Sequence, residues 1–178
     1  SMEDRVREML RTIKRVIEEA HERSKKILDE DRKVLKAVED AVRDVLTKIK
    51  KLLDDARRRG QVSDDLVREI TEKIKRILDE VRRIIEKNER ELERWRREDE
   101  EILKDLERLL RELEKDVRTT KVDEEVVKRA KKLLEEIEKL ARESLERLRD
   151  NLRKTEKLLK DLLDEAKRLL EEIKETVD

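Results

Sequence analysis

The sequence predicts an all-α protein, an antiparallel up-down-up bundle of three long helices. Three observations lead there. Apolar residues recur at helical spacing through three stretches of more than fifty residues each. Two short turn-and-cap segments divide those stretches into nearly equal lengths. With no Pro and a single Gly among 178 residues, little remains from which to build β-turns or strand ends. The expected helices run over about 3–59, 64–117 and 124–177 within one domain, 1–178.

The first helix places an apolar face at Val6, Leu10, Ile13, Ile17, Ala20, Ile27, Val34, Val38, Ala41, Val45, Ile49, Leu52 and Ala56, with Ser24 and Asp31 completing the series. Fourteen steps from residue 6 to residue 56 average about 3.57 residues, between the coiled-coil value and the straight-helix value, so the helices should be nearly straight with a weak supercoil. Ser1-Met2 reads as an expression scar ahead of an initiator methionine and is left out of the expected fold.

The first turn is Arg59-Gly60-Gln61-Val62-Ser63-Asp64-Asp65-Leu66-Val67. Gly60 suits the left-handed residue that closes a helix. Ser63 is the expected N-cap of the second helix, with Asp64 and Asp65 set against the positive end of its dipole. Val62 and Val67 stand at the hydrophobic-staple positions. The second helix keeps the same apolar count from Val67 to Val117, with a four-residue stutter between Asn88 and Leu92.

The second turn, Thr119-Thr120-Lys121-Val122-Asp123-Glu124-Glu125-Val126-Val127, repeats this grammar. Asp123 caps, Glu124 and Glu125 fill the first turn, and Val122 and Val127 form the staple. The third helix then runs to Val177. About 20 apolar residues per helix make the three-in-seven face of a closed bundle, and short loops make sequential helices antiparallel. Each helix should be roughly 80 Å long. The alternative is an open set of three that takes a fourth helix from a partner.

Charge sets further limits. The 50 basic and 50 acidic residues cancel and are interleaved along every helix, which argues against a nucleic-acid partner. Pairs such as Glu135–Lys139 and Glu138–Arg142 are expected as surface ion pairs. Cysteine is absent, so no disulfide or thiol chemistry is available, and no apolar run nears the roughly 20 residues that cross a bilayer. Nothing fixes a compartment; the chain is expected to be soluble on recombinant expression.

The break in the apolar pattern is the feature to explain. Ser24, Asp31, Asn88, Asp99, Ser144, Asn151 and Thr155 occupy positions where apolar residues are due. In the antiparallel arrangement, facing residue numbers sum to about 122 between the first two helices and about 241 between the last two. Ser24, Asp99 and Ser144 then share one level, and Asp31, Asn88 and Asn151 another, with Thr155 a turn away. Trp95 falls between them, opposite Ile27 and near Leu145. A purely apolar core tolerates sliding and alternative association. A polar group left unpaired costs about 1–3 kcal/mol, so hydrogen bonds among these residues would penalise every shifted register. Two other readings stay open: the residues are merely solvated, or they line a pocket for a small polar ligand. Asp31 and Asp99 need donors if buried, for which Asn88, Asn151, Ser144 or neighbouring Arg side chains are available. A buried Trp95 indole would need an acceptor.

Catalytic and metal chemistry find little footing. Glu18-Glu19-Ala20-His21 contains one Glu-x-x-His, the spacing of di-iron bundles, but His21 is the sole histidine and such sites need two of these motifs. No Gly-rich phosphate loop or nucleophile–base set occurs. The expectation is no catalytic, cofactor-binding or metal residue, no cofactor, and no required partner.

The matched caps and staples, equal helices, balanced Glu/Lys/Arg surface, Leu/Ile/Val core and isolated polar layers resemble computationally designed, de novo helical bundles with programmed buried hydrogen-bond networks. The resemblance covers the whole chain after Met2 and implies an architecture without an activity. Spectrin-like natural repeats carry more aromatics, Gly, Pro and irregular loops. The expected function is therefore that of a synthetic scaffold. The competing one is an interaction module that self-assembles or accepts a helix, kept open by apolar residues outside the main stripe such as Met9, Val16 and Ala37.

Overall fold

The computed structural model describes residues 1–177 and is a three-helix bundle: α1 (Met2–Arg58), α2 (Asp64–Thr119) and α3 (Glu124–Val177). No strand occurs among the described residues. The helix ends follow from their caps. Gly60 takes φ 70°, and the N–H groups of Gly60 and Gln61 donate to the carbonyls of Arg57 (3.1 Å) and Ala56 (2.9 Å). That pair of bonds is the Schellman closure, and it satisfies carbonyls the helix cannot use internally. Ser63 Oγ accepts from the Leu66 N–H at 3.2 Å, and Asp123 Oδ1 from the Val126 N–H at 3.1 Å.

Three local expectations need correction. Ser1 belongs to the fold: its Oγ accepts from the Asp4 N–H at 3.3 Å, making it the N-cap of α1. A serine beside Glu3 and Asp4 does this whatever its origin. α2 runs two residues past Val117, because Thr119 and Thr120 turn their hydroxyls back onto the carbonyls of Lys115 (2.8 Å) and Asp116 (2.7 Å). In the first staple, Leu66 packs on the core, whereas Val62 and Val67 are half-buried beside it.

Packing divides the chain into two compact units, unit 1 (Ser1–Asp29 with Glu91–Asp150) and unit 2 (Glu30–Arg90 with Asn151–Asp178). Unit 1 is built on Val6, Leu10 and Ile13 from α1, Leu106, Leu110, Leu113 and Val117 from α2, and Val126, Ala130, Leu133 and Ile137 from α3, with Val122 from the turn before it. Met9 and Val16 pack against this core, so they widen the buried face rather than stand outside it; Ala37, in unit 2, is exposed.

Unit 2 has its own core, in which Val42, Ile49, Val81, Leu159 and Ala166 are fully buried. Here the expected centre line of α1 is one residue out of phase. Leu35, Val42, Leu46 and Leu53 are buried, while Val38, Ala41, Val45 and Leu52 flank them and Val34 is 37% exposed. The apolar face is wide enough after Asp31 that two adjacent lines of residues fit the same period, and the larger leucines take the interior. Ile49 and Ala56 belong to both lines and are buried.

Cross-helix ion pairs report the pairing. Lys14 meets Glu114 at 3.5 Å and Arg129 meets Asp116 at 2.7 Å in unit 1; Arg57 meets Asp64 at 3.2 Å in unit 2. The first two exceed the expected facing sums by six and four. Side chains lean toward their own helix N-terminus, so in an antiparallel pair two long ones meet at a level between their Cα atoms, each at a lower residue number than its own, and the sum of the two numbers exceeds the facing sum. Most other pairs are i,i+3 or i,i+4 contacts on exposed faces, each of small worth. Lys139 pairs forward with Glu143 at 3.9 Å rather than back with Glu135, and Glu138–Arg142 does not form.

Candidate functional site

Along each helix there is an interval without a buried side chain: residues 14–30 of α1, 89–105 of α2 and 138–150 of α3. The seven polar positions lie inside these intervals or at their edges, and the edge decides which of them are dry. Asp31, Asn88 and Asn151 end the intervals on the unit 2 side, Thr155 follows one turn beyond Asn151, and all four are 6–7% exposed. Ser24, Asp99 and Ser144 lie within the intervals, in unit 1, and are half-buried.

In unit 2 the hydrogen bonds converge on one atom. Asn88 Oδ1 accepts from Asn151 Nδ2 and, at 3.2 Å, from the Thr155 hydroxyl. Asn151 and Thr155 are i,i+4 on α3, so one face of that helix presents both donors side by side. In unit 1 the Ser144 hydroxyl donates to Asp99 Oδ2 at 2.7 Å, a short charge-assisted bond. The other carboxylate oxygen, Oδ1, is buried and has no partner. All three α2–α3 bonds fall within two of the expected facing sum of 241.

The remaining members are not joined. Ser24 makes no hydrogen bond to another described residue, and half-burial leaves its hydroxyl within reach of water. Asp31 was expected beside Asn88 or Asn151 as a bonded partner; its carboxyl instead makes no hydrogen bond or ion pair among the described residues. Burial first, then the charges of Glu30 and Glu156, push that carboxyl up to about 6. Trp95 is half-buried, and its indole N–H bonds to no described residue, which water at a partly open site permits. His21, Glu18 and Glu19 are all exposed, so the Glu-x-x-His spacing lies on a solvated face.

Sequence reasoning missed Glu156. Its place next to Thr155 sets it on the flank of the polar set, half-buried, where its charge reaches Asp31 from α3 while its Oε1 accepts from Lys160 at 2.7 Å. Helical geometry could have found it, since the neighbour of an inward residue is rotated only about 100° from it. Among the described residues no group of three or more His, Cys, Asp or Glu side chains is placed to hold a metal ion, and no helix is long and apolar enough to cross a membrane. No family model, curated protein or solved structure matches this chain.

Proposed function

We propose that the chain is a synthetic structural scaffold without a natural biochemical activity, whose mid-helix polar side chains form hydrogen-bond networks that fix register and topology. The observation that carries the reading is the double acceptance at Asn88 Oδ1, which ties α2 to two donors on α3 in a buried setting. Sliding α3 by one heptad replaces that donor pair with Leu158 and Leu162 in one direction, or with Ser144 and Leu148 in the other. The first slip leaves Asn88, Asn151 and Thr155 all unpaired, at about 1–3 kcal/mol each. An apolar layer would carry no such penalty.

The test replaces the whole set. The triple variant Asn88→Leu, Asn151→Leu, Thr155→Val should keep or raise its denaturation midpoint while its amide spectrum shows more than one species. A triple variant with one set of resonances and an unchanged cross-helix contact pattern would sink the specificity reading.

The second reading, an interaction module that self-assembles or accepts a partner helix, is favoured by large apolar residues left in water: Leu158 is 51% exposed and Ile102 45%. Light scattering separates the two. A mass of 21.6 kDa held across concentrations supports the scaffold, and a rising mass supports self-assembly.

A further inference from the structure

In unit 1, α2 carries a second stripe beside its buried one. Glu98, Ile102, Asp105, Leu109 and Glu112 follow one another at steps of four and three, the heptad spacing that keeps side chains on one line of a helix, and all five are exposed. Ile102 is 45% exposed and Leu109 41%, whereas Leu106, Leu110 and Leu113 next to them are buried. The stripe continues to Asp116, whose Oδ2 accepts from Arg129 of α3 at 2.7 Å. It therefore borders the α2–α3 groove, and its last acid already holds a basic side chain from another helix. The three acids before it have little to pair with inside the molecule. Glu98 and Asp105 reach Arg94 and Arg108 of their own helix only at 4.0 Å, and Glu112 makes no ion pair among the described residues. Exposed pairs of that kind contribute little.

We propose that this stripe is a docking surface for a basic amphipathic helix, one that sets Leu or Ile against Ile102 and Leu109 and Lys or Arg against Glu98, Asp105 and Glu112. The inference rests on the partner-helix form of the second reading above and supplies the partner's chemistry. Alternation of apolar and acidic positions decides the occupant. An apolar helix would cover the three carboxylates without a counter-charge, an acidic one would repel them, and a basic one meets both kinds of position. A second copy of this chain fails through the same stripe. Matching Ile102 antiparallel with the second copy's Leu109 sets Glu98 beside Glu112 and Asp105 beside its own equivalent, and a parallel pairing sets each acid against itself. Leu158, more exposed still, shares its line with Lys154, Asp161 and Glu165, so that face does not supply a basic partner either. From residue 98 to residue 112 the surface is about 21 Å long, enough for a partner of a few turns. Two apolar contacts on so short a surface make the complex weak, and its charges make it salt-sensitive.

The experiment titrates the full chain with a synthetic peptide of about three heptads bearing Leu at a and Lys at d, and with a control bearing Glu at d. Binding is read by fluorescence anisotropy of the labelled peptide and by amide NMR of the chain. The Lys peptide should bind about tenfold or more tighter than the Glu peptide, loosen as salt is raised, and shift the amides of residues 98–112. Ile102→Glu should weaken it about tenfold. The charge-reversed chain, with Glu98→Lys, Asp105→Lys and Glu112→Lys, should instead prefer the Glu peptide, a gain that a misfolded chain does not produce. Equal binding of the two peptides, binding of neither, or amide shifts centred away from the stripe would overturn the proposal. Light scattering tells this failure from that of the wider reading. A mass that rises with concentration while neither peptide binds leaves self-assembly standing, and a constant 21.6 kDa with no peptide bound removes both.

Discussion

Asn88 on α2 and Asn151 on α3 face each other with the amide of one donating to the carbonyl oxygen of the other, and Thr155 completes the acceptor's two lone pairs from one turn further along α3. The arrangement is asymmetric, since Asn88 serves two partners and each partner serves only Asn88. Removing the acceptor therefore differs from removing either donor.

Asn88→Leu should destabilise unit 2 by about 2–4 kcal/mol, because two buried donors lose their acceptor at once. Asn151→Leu should cost about 1 kcal/mol or less, since Asn88 retains Thr155 and a leucine gains burial in exchange. Urea denaturation of the two variants and their double mutant measures the difference. Equal losses from the two single changes would show that Thr155 does not share the acceptor.

The Asp99–Ser144 pair should behave differently although its bond is charge-assisted. Both residues are half-buried, so a released Ser144 hydroxyl can turn to water. Ser144→Ala is expected to cost about 0.5–1.5 kcal/mol, because partial solvation of the pair discounts what a charge-assisted bond contributes when fully buried. Asp99→Asn should be close to neutral, because it removes a charge whose Oδ1 has no donor while keeping an acceptor for Ser144. A loss from Asp99→Asn exceeding that from Ser144→Ala would mean the carboxylate charge is stabilised by something beyond the serine.

These contrasts explain what could be seen in the chain beforehand. The helices, both turns, and the levels of Asn88, Asn151, Asp99 and Ser144 follow from period, caps and antiparallel folding, all local or one-dimensional properties. Burial is not. Asn151 and Ser144 are seven residues apart on one face, yet one is dry and the other wet, because burial depends on which neighbouring residues on all three helices are large. The same holds for Asp31, whose missing donor is a fact about three helices at once. The shift from Val34 to Leu35 as the interior line has a related cause, since a wide apolar face admits two centre lines of equal period.

Among the described residues Gly60 is the one position where backbone conformation dictates the residue. With φ 70° and open space around the position of a Cβ, Gly60→Ala meets no clash, so its whole cost is the left-handed conformation of an L-residue. The expected loss is about 1 kcal/mol, offset in part by a stiffer unfolded chain. Gly60→Asn should recover some of it, since asparagine tolerates that region. Thermal denaturation ranks the three chains as Gly, Asn, Ala in falling stability; an alanine variant as stable as the glycine chain would mean that the turn had changed its closure.

Leu158 and Leu159 are chain neighbours with opposite roles, one 51% exposed and the other fully buried. Leu159→Ala should cost about 2–5 kcal/mol, the range for a leucine removed from a closed core with partial relaxation. Leu158→Gln should change stability by less than about 0.5 kcal/mol, as surface substitutions do. The second variant also bears on association. If copies of the chain dock through this flank, Leu158→Gln lowers the mass seen by light scattering at high concentration while leaving the midpoint alone. If the chain is monomeric, both stay where they were, and the exposed leucine is an ordinary apolar residue at a surface.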